Sequence, residues 1–312
     1  MREPAGAGPV ARAAVVSTAA AVLLVLAVGC GYDAEPAIAR GDRFWADSNY
    51  TAALAEYRLA VDQDRNDEAL SRAAHAYIRT GQFERAREMY DELIAADSAW
   101  ADQAIFDYVT VAQRAQVRSD RYGLASAVDA ALDLRPGLPL DEFAVPLARY
   151  YASTGDPSRA IDFYERALTA AEPDSVGTLL FEIAQVHEGQ GNCSEAIGFF
   201  TTFRSRSPRD RRLADASWQI GSCSFQLARQ AHQAGDLEEG LRQLDRLIAL
   251  GVPLNLIDDA WFERGEILLE LGRRDDALFS YVRVLEENPT GTGQIVERAR
   301  SRIDLLRFGR DR

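Results

Sequence analysis

The chain has 312 residues, 47% of them hydrophobic, with 35 basic residues against 48 acidic ones and a formal net charge of −13. That balance argues against a nucleic-acid partner, whose binding needs clustered cations to neutralise phosphates, and against extended contact with anionic lipid. All of the basic residues are arginine, which coding bias explains without a functional reading.

The chain opens on a segment unlike the rest. Arg2 and Arg12 precede Ala13 to Val28, an uncharged run whose only polar residues are Ser17 and Thr18. An apolar core of this length after a mildly basic start predicts a secretory signal over residues 1–29. The run is also only just short of a spanning helix, so an uncleaved anchor is the alternative. It ends Leu26-Ala27-Val28-Gly29-Cys30. Small residues immediately before a cysteine resemble the bacterial lipobox, which implies that Cys30 carries lipid and begins the mature chain. Gly31 rather than aspartate after that cysteine implies the outer membrane, periplasmic side. The outer face of the plasma membrane is the alternative. Residues 30–36 then read as a short tether.

From residue 37 a pattern recurs at a period of about 34 residues. The N-terminal copy is Gly41-x2-Phe44, Tyr50, Ala53-x3-Tyr57 and Ala60. Next come Ala74-x2-Tyr77, Gly81, Ala86-x3-Tyr90 and Leu93, then Ala148-x2-Tyr151, Gly155 and Ala160-x3-Tyr164. Ala184, Gly191, Ala196-x3-Phe200 and Pro208 follow, and the clearest copy is Trp261-x3-Gly265-x2-Leu268, Gly272, Ala277-x3-Tyr281 and Pro289. A small residue in the first helix of each unit lets the second approach closely. The aromatic four residues after the second-helix alanine shares its face and is expected to fill the gap beside the next unit. Pro208 and Pro289 end second helices, since proline disfavours helix in the residue before it. The pattern resembles the tetratricopeptide repeat. That resemblance implies an all-α solenoid of antiparallel helix pairs, about seven units and a C-terminal capping helix, over residues 37–308, with 309–312 as a tail.

Two stretches depart from the pattern. Residues 99–136 keep it only loosely, as Tyr108, Ala112, Ala131 and Pro136, and read as the weakest unit. Residues 212–233 predict a first helix two turns too long, because Gly235 falls late relative to Gly221. Thr292 is expected to cap a final helix through Phe308, with Ile295, Ala299, Ile303 and Leu306 as its apolar stripe.

Two cysteines remain besides Cys30. Cys193 begins the second helix of one unit and Cys223 lies in the first helix of the next. Counting back from the turn near Pro208 sets both at one height on antiparallel helices. They are therefore a candidate disulfide pair for an oxidising compartment, or two small residues at tight helix contacts.

Catalytic and metal-binding signatures find no foothold. His75, His187 and His232 lie in different units without paired zinc spacing, and there is no nucleophile elbow, phosphate-cradling glycine loop or C-x-x-C. His187 takes an aromatic packing slot. Asp258-Asp259 and Asp275-Asp276 suit helix starts better than metal. The expectation is no enzyme, no cofactor, no metal and no small-molecule substrate.

The family resemblance implies that partners bind first-helix residues not spent on packing. Those are Trp45, His75, Ile78 and Arg79, then Arg149, Phe181, Gln185 and Glu188, then Phe262 and Glu266. The chaperone-tail carboxylate clamp of some members is not expected, because its slots hold Ser71, Val145 and Phe181. A mixed apolar and polar groove suits an extended peptide or a partner's helix. From Cys30 onward the chain resembles tetratricopeptide lipoproteins of the bacterial envelope, including the one in the outer-membrane β-barrel assembly machinery, which has fewer units. This implies a membrane-anchored protein-interaction scaffold. The alternatives are a docking or adaptor subunit of a cell-wall enzyme or secretion system and, more remotely, an enzyme.

Overall fold

The computed structural model describes residues 35–288 and 291–309. The segment expected to be a signal, Cys30 and Pro289 lie outside the described residues. Fifteen α-helices and no strand occur among those described. They are α1 (Ala37–Ala46), α2 (Tyr50–Gln63), α3 (Asp67–Thr80), α4 (Phe83–Ala96) and α5 (Ala101–Val117). Then come α6 (Arg121–Leu134), α7 (Ala144–Thr154), α8 (Pro157–Thr169), α9 (Pro173–Gly189) and α10 (Cys193–Arg206). The last are α11 (Leu213–Ala234), α12 (Leu237–Leu250), α13 (Ile257–Glu270), α14 (Arg274–Glu287) and α15 (Gln294–Phe308). The described residues form two compact units, 35–111 and 112–309, and the boundary falls within α5.

Polar caps start many of these helices. Asn49, Asn66, Asp120, Asp156 and Asp236 each accept a hydrogen bond from the backbone N–H three residues on, satisfying a donor that the first turn leaves without a partner. Gly81 and Gly155 end α3 and α7 at φ +80° and +82°, a left-handed conformation that side chains disfavour.

Successive helices from α1 to α4 and from α6 to α15 pack on one another, and the repeat alanines form the seam. Ala53, Ala74, Ala86, Ala148, Ala160, Ala184, Ala196 and Ala277 are all fully buried. The repeat aromatic behaves differently from expectation. Tyr281 lies on Gly265 of its own pair, where a Cβ would sit 2.6 Å from the ring, and Tyr57 lies on Gly41 in the same way, at 2.5 Å. The ring fills the space that the missing side chain leaves, so the aromatic first locks its own helix pair. Its hydroxyl then reaches outward. Tyr57 donates to Asp42 at 2.7 Å and Tyr281 donates to Glu266. Each carboxylate is also paired with an arginine of the helix that follows its pair, Arg72 of α3 at 3.4 Å and Arg302 of α15 at 2.7 Å. Burial and the neighbouring carboxylate both raise the pKa of these tyrosines, so they remain hydroxyl donors.

In the second unit α11 spans 22 residues. Cys193, the first residue of α10, and Cys223 in α11 have Cα atoms 5.0 Å apart and are joined as a disulfide. The final helix begins later than expected. Gly293, not Thr292, occupies its N-cap position, and no side chain caps it. Its buried face is Val296, Ala299 and Ile303, with Ile295 and Leu306 only half-buried. Moving the start places Val296 at the first inward position of the turn.

Candidate functional site

The first unit contains a cavity of about 690 Å³. Trp45 of α1, Glu68, Ser71, Arg72 and His75 of α3, and Gln103 of α5 line it, together with Tyr57, Asp67 and Trp100. Three first helices of successive pairs thus contribute to one concavity. The i, i+4 spacing of Ser71 and His75 aligns them on one face of α3. Trp45 is half-buried, its ring centroid 4.9 Å from that of His75 and 4.9 Å from that of Tyr50.

Beside the cavity is a buried acid. Asp107 is 1% exposed, and its carboxylate lies 2.8 Å from His75 Nδ1 and accepts a hydrogen bond from the Tyr90 hydroxyl. Nδ1 is engaged by this carboxylate, which leaves Nε2 as the other polar atom of the ring. A carboxylate held at this depth needs such partners, because burial without them is strongly unfavourable. The pair fixes the His75 ring against the cavity wall. Asp107 was not legible as a site residue, because it sits in the stretch where the repeat is weakest. Its separation of 32 from His75, close to one repeat, is the signal that would have found it.

The other expected groove residues divide into two groups. Ile78 is 2% exposed, Phe181 6% and Phe262 2%. These three belong to the core, a correction to the sequence reading. Phe181 packs against Phe200 and Phe203, and Phe262 packs against Tyr281. The rest are accessible to differing degrees. Arg79 is exposed, its guanidinium 4.4 Å from the Tyr50 ring centroid, and Gln185 is also exposed, with Glu188 half-buried. Arg149 donates two hydrogen bonds to Glu182, and Glu266 is occupied by Tyr281 and Arg302. Trp45, His75, Ile78 and Arg79 belong to the first unit, and the remainder belong to the second. His187 stacks on Phe199 at 5.3 Å with its Nδ1 buried and without a partner, as its place in an aromatic slot implies. Among the described residues no group of three or more His, Cys, Asp and Glu is placed to hold a metal ion, and no helix is long and apolar enough to cross a membrane.

In the second unit, His232 in the last turn of α11 links to two acids of α13, with Nδ1 2.6 Å from Glu263 and Nε2 3.1 Å from Glu270. Burial opposes charge on the ring, but the hydrogen bonds and the charges of Glu263 and Glu270 together raise its pKa above 6.5. A raised folded-state value means that the stabilisation is fully present below the unfolded value and disappears as pH rises through the folded one. We therefore expect His232→Gln to lower the melting temperature at pH 6 and to match the native chain by pH 9. A melting difference that is the same at both pH values would show that the charge contributes nothing.

Tetratricopeptide-repeat family models match residues 68–99, 147–175 and 225–292. These three segments carry tetratricopeptide repeats. No curated protein matches it. Among solved structures, the C-terminal part of a tetratricopeptide repeat-containing protein from Cytophaga hutchinsonii is 14% identical. That alignment covers 84% of this chain and 98% of the other, with a TM-score of 0.34. A tetratricopeptide repeat protein from Parabacteroides merdae is 14% identical, covering 86% and 97%, with a TM-score of 0.30. YrrB, described as a tetratricopeptide protein with an unusual peptide-binding site, is 19% identical, covering 68% and 97%, with a TM-score of 0.31. At these levels the tetratricopeptide chain's own geometry must supply the assignment of its site. Repeats of this type serve typically as non-catalytic interaction scaffolds.

Proposed function

We propose that this tetratricopeptide protein is a membrane-anchored scaffold of a bacterial envelope, lipidated at Cys30, that holds a protein partner on its first-helix faces. The observation that carries the binding half is the first-unit cavity, where α1, α3 and α5 bring Trp45, His75 and Gln103 to one surface. A concavity lined by aromatic rings with a few placed polar groups is the usual form of a recognition site. The anchoring half rests on the apolar leader ending Val28-Gly29-Cys30, and Gly31 favours the outer membrane, periplasmic side.

Both halves can be tested in one strain series. Metabolic labelling with a fatty-acid analogue should mark the native chain and not Cys30→Ser, since the lipid thioether requires that sulfur. Equal labelling of both would end the lipoprotein reading. Affinity capture from membranes should recover a protein that the Trp45→Ala variant loses. Barrel-assembly proteins, cell-wall enzymes or secretion components would each select one branch of the scaffold and adaptor readings. Recovery unaffected by Trp45→Ala would remove the cavity from the binding surface.

A further inference from the structure

The cavity of the first unit is rich in acceptors and negative ring faces. Asp67 and Glu68 are exposed on α3 and bring carboxylates to it, Ser71 adds a hydroxyl, and the half-buried Trp45 and Trp100 bring indole rings. His75, with Nδ1 turned to Asp107, offers Nε2 as an acceptor when neutral. Among the described lining residues the cation is Arg72, and it is already 3.4 Å from Asp42 and 4.0 Å from Glu68.

The repeat supplies an internal comparison. Arg72 pairs with Asp42, which follows the packing glycine Gly41, and Arg302 pairs with Glu266, which follows Gly265. Arg72 and Arg302 therefore hold corresponding places. One helical turn before Arg302 stands Arg298, whose guanidinium lies 4.2 Å from the Phe262 ring centroid in a cleft of about 330 Å³. One turn before Arg72 stands Glu68. Where the C-terminal cleft supplies its own guanidinium to an aromatic face, the first-unit cavity, about twice as large, supplies a carboxylate.

We propose that this cavity binds the arginine side chain of a basic segment in a partner protein. The assignment rests on the scaffold reading above and specifies its partner. A planar guanidinium stacks on indole while its N–H groups reach carboxylate and imidazole acceptors, which an ammonium cannot do as fully. The chain's net charge of −13 would also draw a basic segment toward it.

The test uses the full chain with its tryptophans labelled with nitrogen-15. The probes are four acetylated, amidated nonapeptides of Gly and Ser around one central Arg, citrulline, Lys or Glu. The arginine peptide should saturably shift the indole N–H signals of Trp45 and Trp100 and leave those of Trp218 and Trp261 in place. Citrulline, which keeps the shape without the charge, should bind roughly tenfold more weakly, the scale of a partly desolvated cation–π contact. Glu68→Gln, a change on an exposed side chain, should weaken the arginine peptide and leave the citrulline peptide unchanged. Unmoved Trp45 and Trp100 signals, equal affinity for arginine and citrulline, or preference for the glutamate peptide would each overturn the proposal. Lysine binding as tightly as arginine would overturn the assignment to a guanidinium. If none of the peptides binds while Trp45→Ala still abolishes partner capture, the cation assignment fails and the scaffold reading stands. If arginine binds but partner capture ignores Trp45→Ala, the scaffold reading fails at this cavity.

Discussion

Gly221→Ala is expected to destabilise the second unit by about 3 kcal/mol, the upper end of the usual overpacking range. A Cβ at this position of α11 would lie 1.9 Å from the Val252 carbonyl oxygen and 2.9 Å from Pro253 Cδ. The obstacle is backbone, which cannot rotate aside as a side chain can. Either α11 or the turn after α12 must move, and interiors packed at crystal-like density transmit that displacement. Gly265→Leu meets the Tyr281 ring first, a side chain rather than backbone, and should cost on the order of 1–3 kcal/mol. Gly198→Ala is the matched control. It sits on an exposed stretch of α10 with nothing near its Cβ, so it should stabilise by roughly 0.5–1 kcal/mol through helix propensity. Chemical denaturation of the three variants ranks them directly. A Gly221→Ala protein as stable as the native chain would contradict the packing of α11 on residues 252–253.

Reduction of the Cys193–Cys223 link is the second large expected effect. The Cα separation of 5.0 Å falls within the range that a bridge spans. The cysteines are 30 residues apart, and closing a loop of that length restricts the unfolded chain by roughly 2–4 kcal/mol. Protein purified without reductant should yield a Cys193–Cys223 cross-linked peptide on non-reducing digestion. Adding reductant should lower its unfolding midpoint by the corresponding amount. Because repeat units contact mainly their neighbours, hydrogen exchange should rise first in α10 and α11, with much less change in α1 to α4. Two free thiols in protein purified without reductant, or a midpoint indifferent to reductant, would rule the link out as a source of stability.

Much of the fold was legible in the sequence, because the repeat leaves marks of spacing and residue size. The alanines at 74, 148, 184 and 277 read as packing seams, and all are fully buried. Caps such as Asn66 and Asp156 are local, so their chemistry is visible in a few consecutive residues. The start of α15 was misread because two candidates, Thr292 and Gly293, adjoin, and backbone geometry at Gly293 decides between them.

The site was only half legible. Trp45 and His75 stand out as groove positions, but Ile78, Phe181 and Phe262 occupy equivalent-looking places and are buried. Periodicity reports the direction of a side chain from its own helix axis, not whether another helix covers that direction. Trp100 could not be assigned to the cavity, nor Asp107 to His75, from a stretch where the repeat itself is weak.

By itself, then, the sequence determined the repeat class, the alternation of helix pairs, the small-residue seams and the uncharged run before Cys30. All of these follow from interactions within a turn or a repeat, where spacing along the chain fixes spacing in the molecule. Only the tertiary structure decided that Tyr57 and Tyr281 lie on glycines of their own pair, that Asp107 anchors His75, and which first-helix residues remain open. Those outcomes depend on how closely neighbouring helices approach, and that distance is set by the summed packing of side chains from several turns rather than by any local pattern.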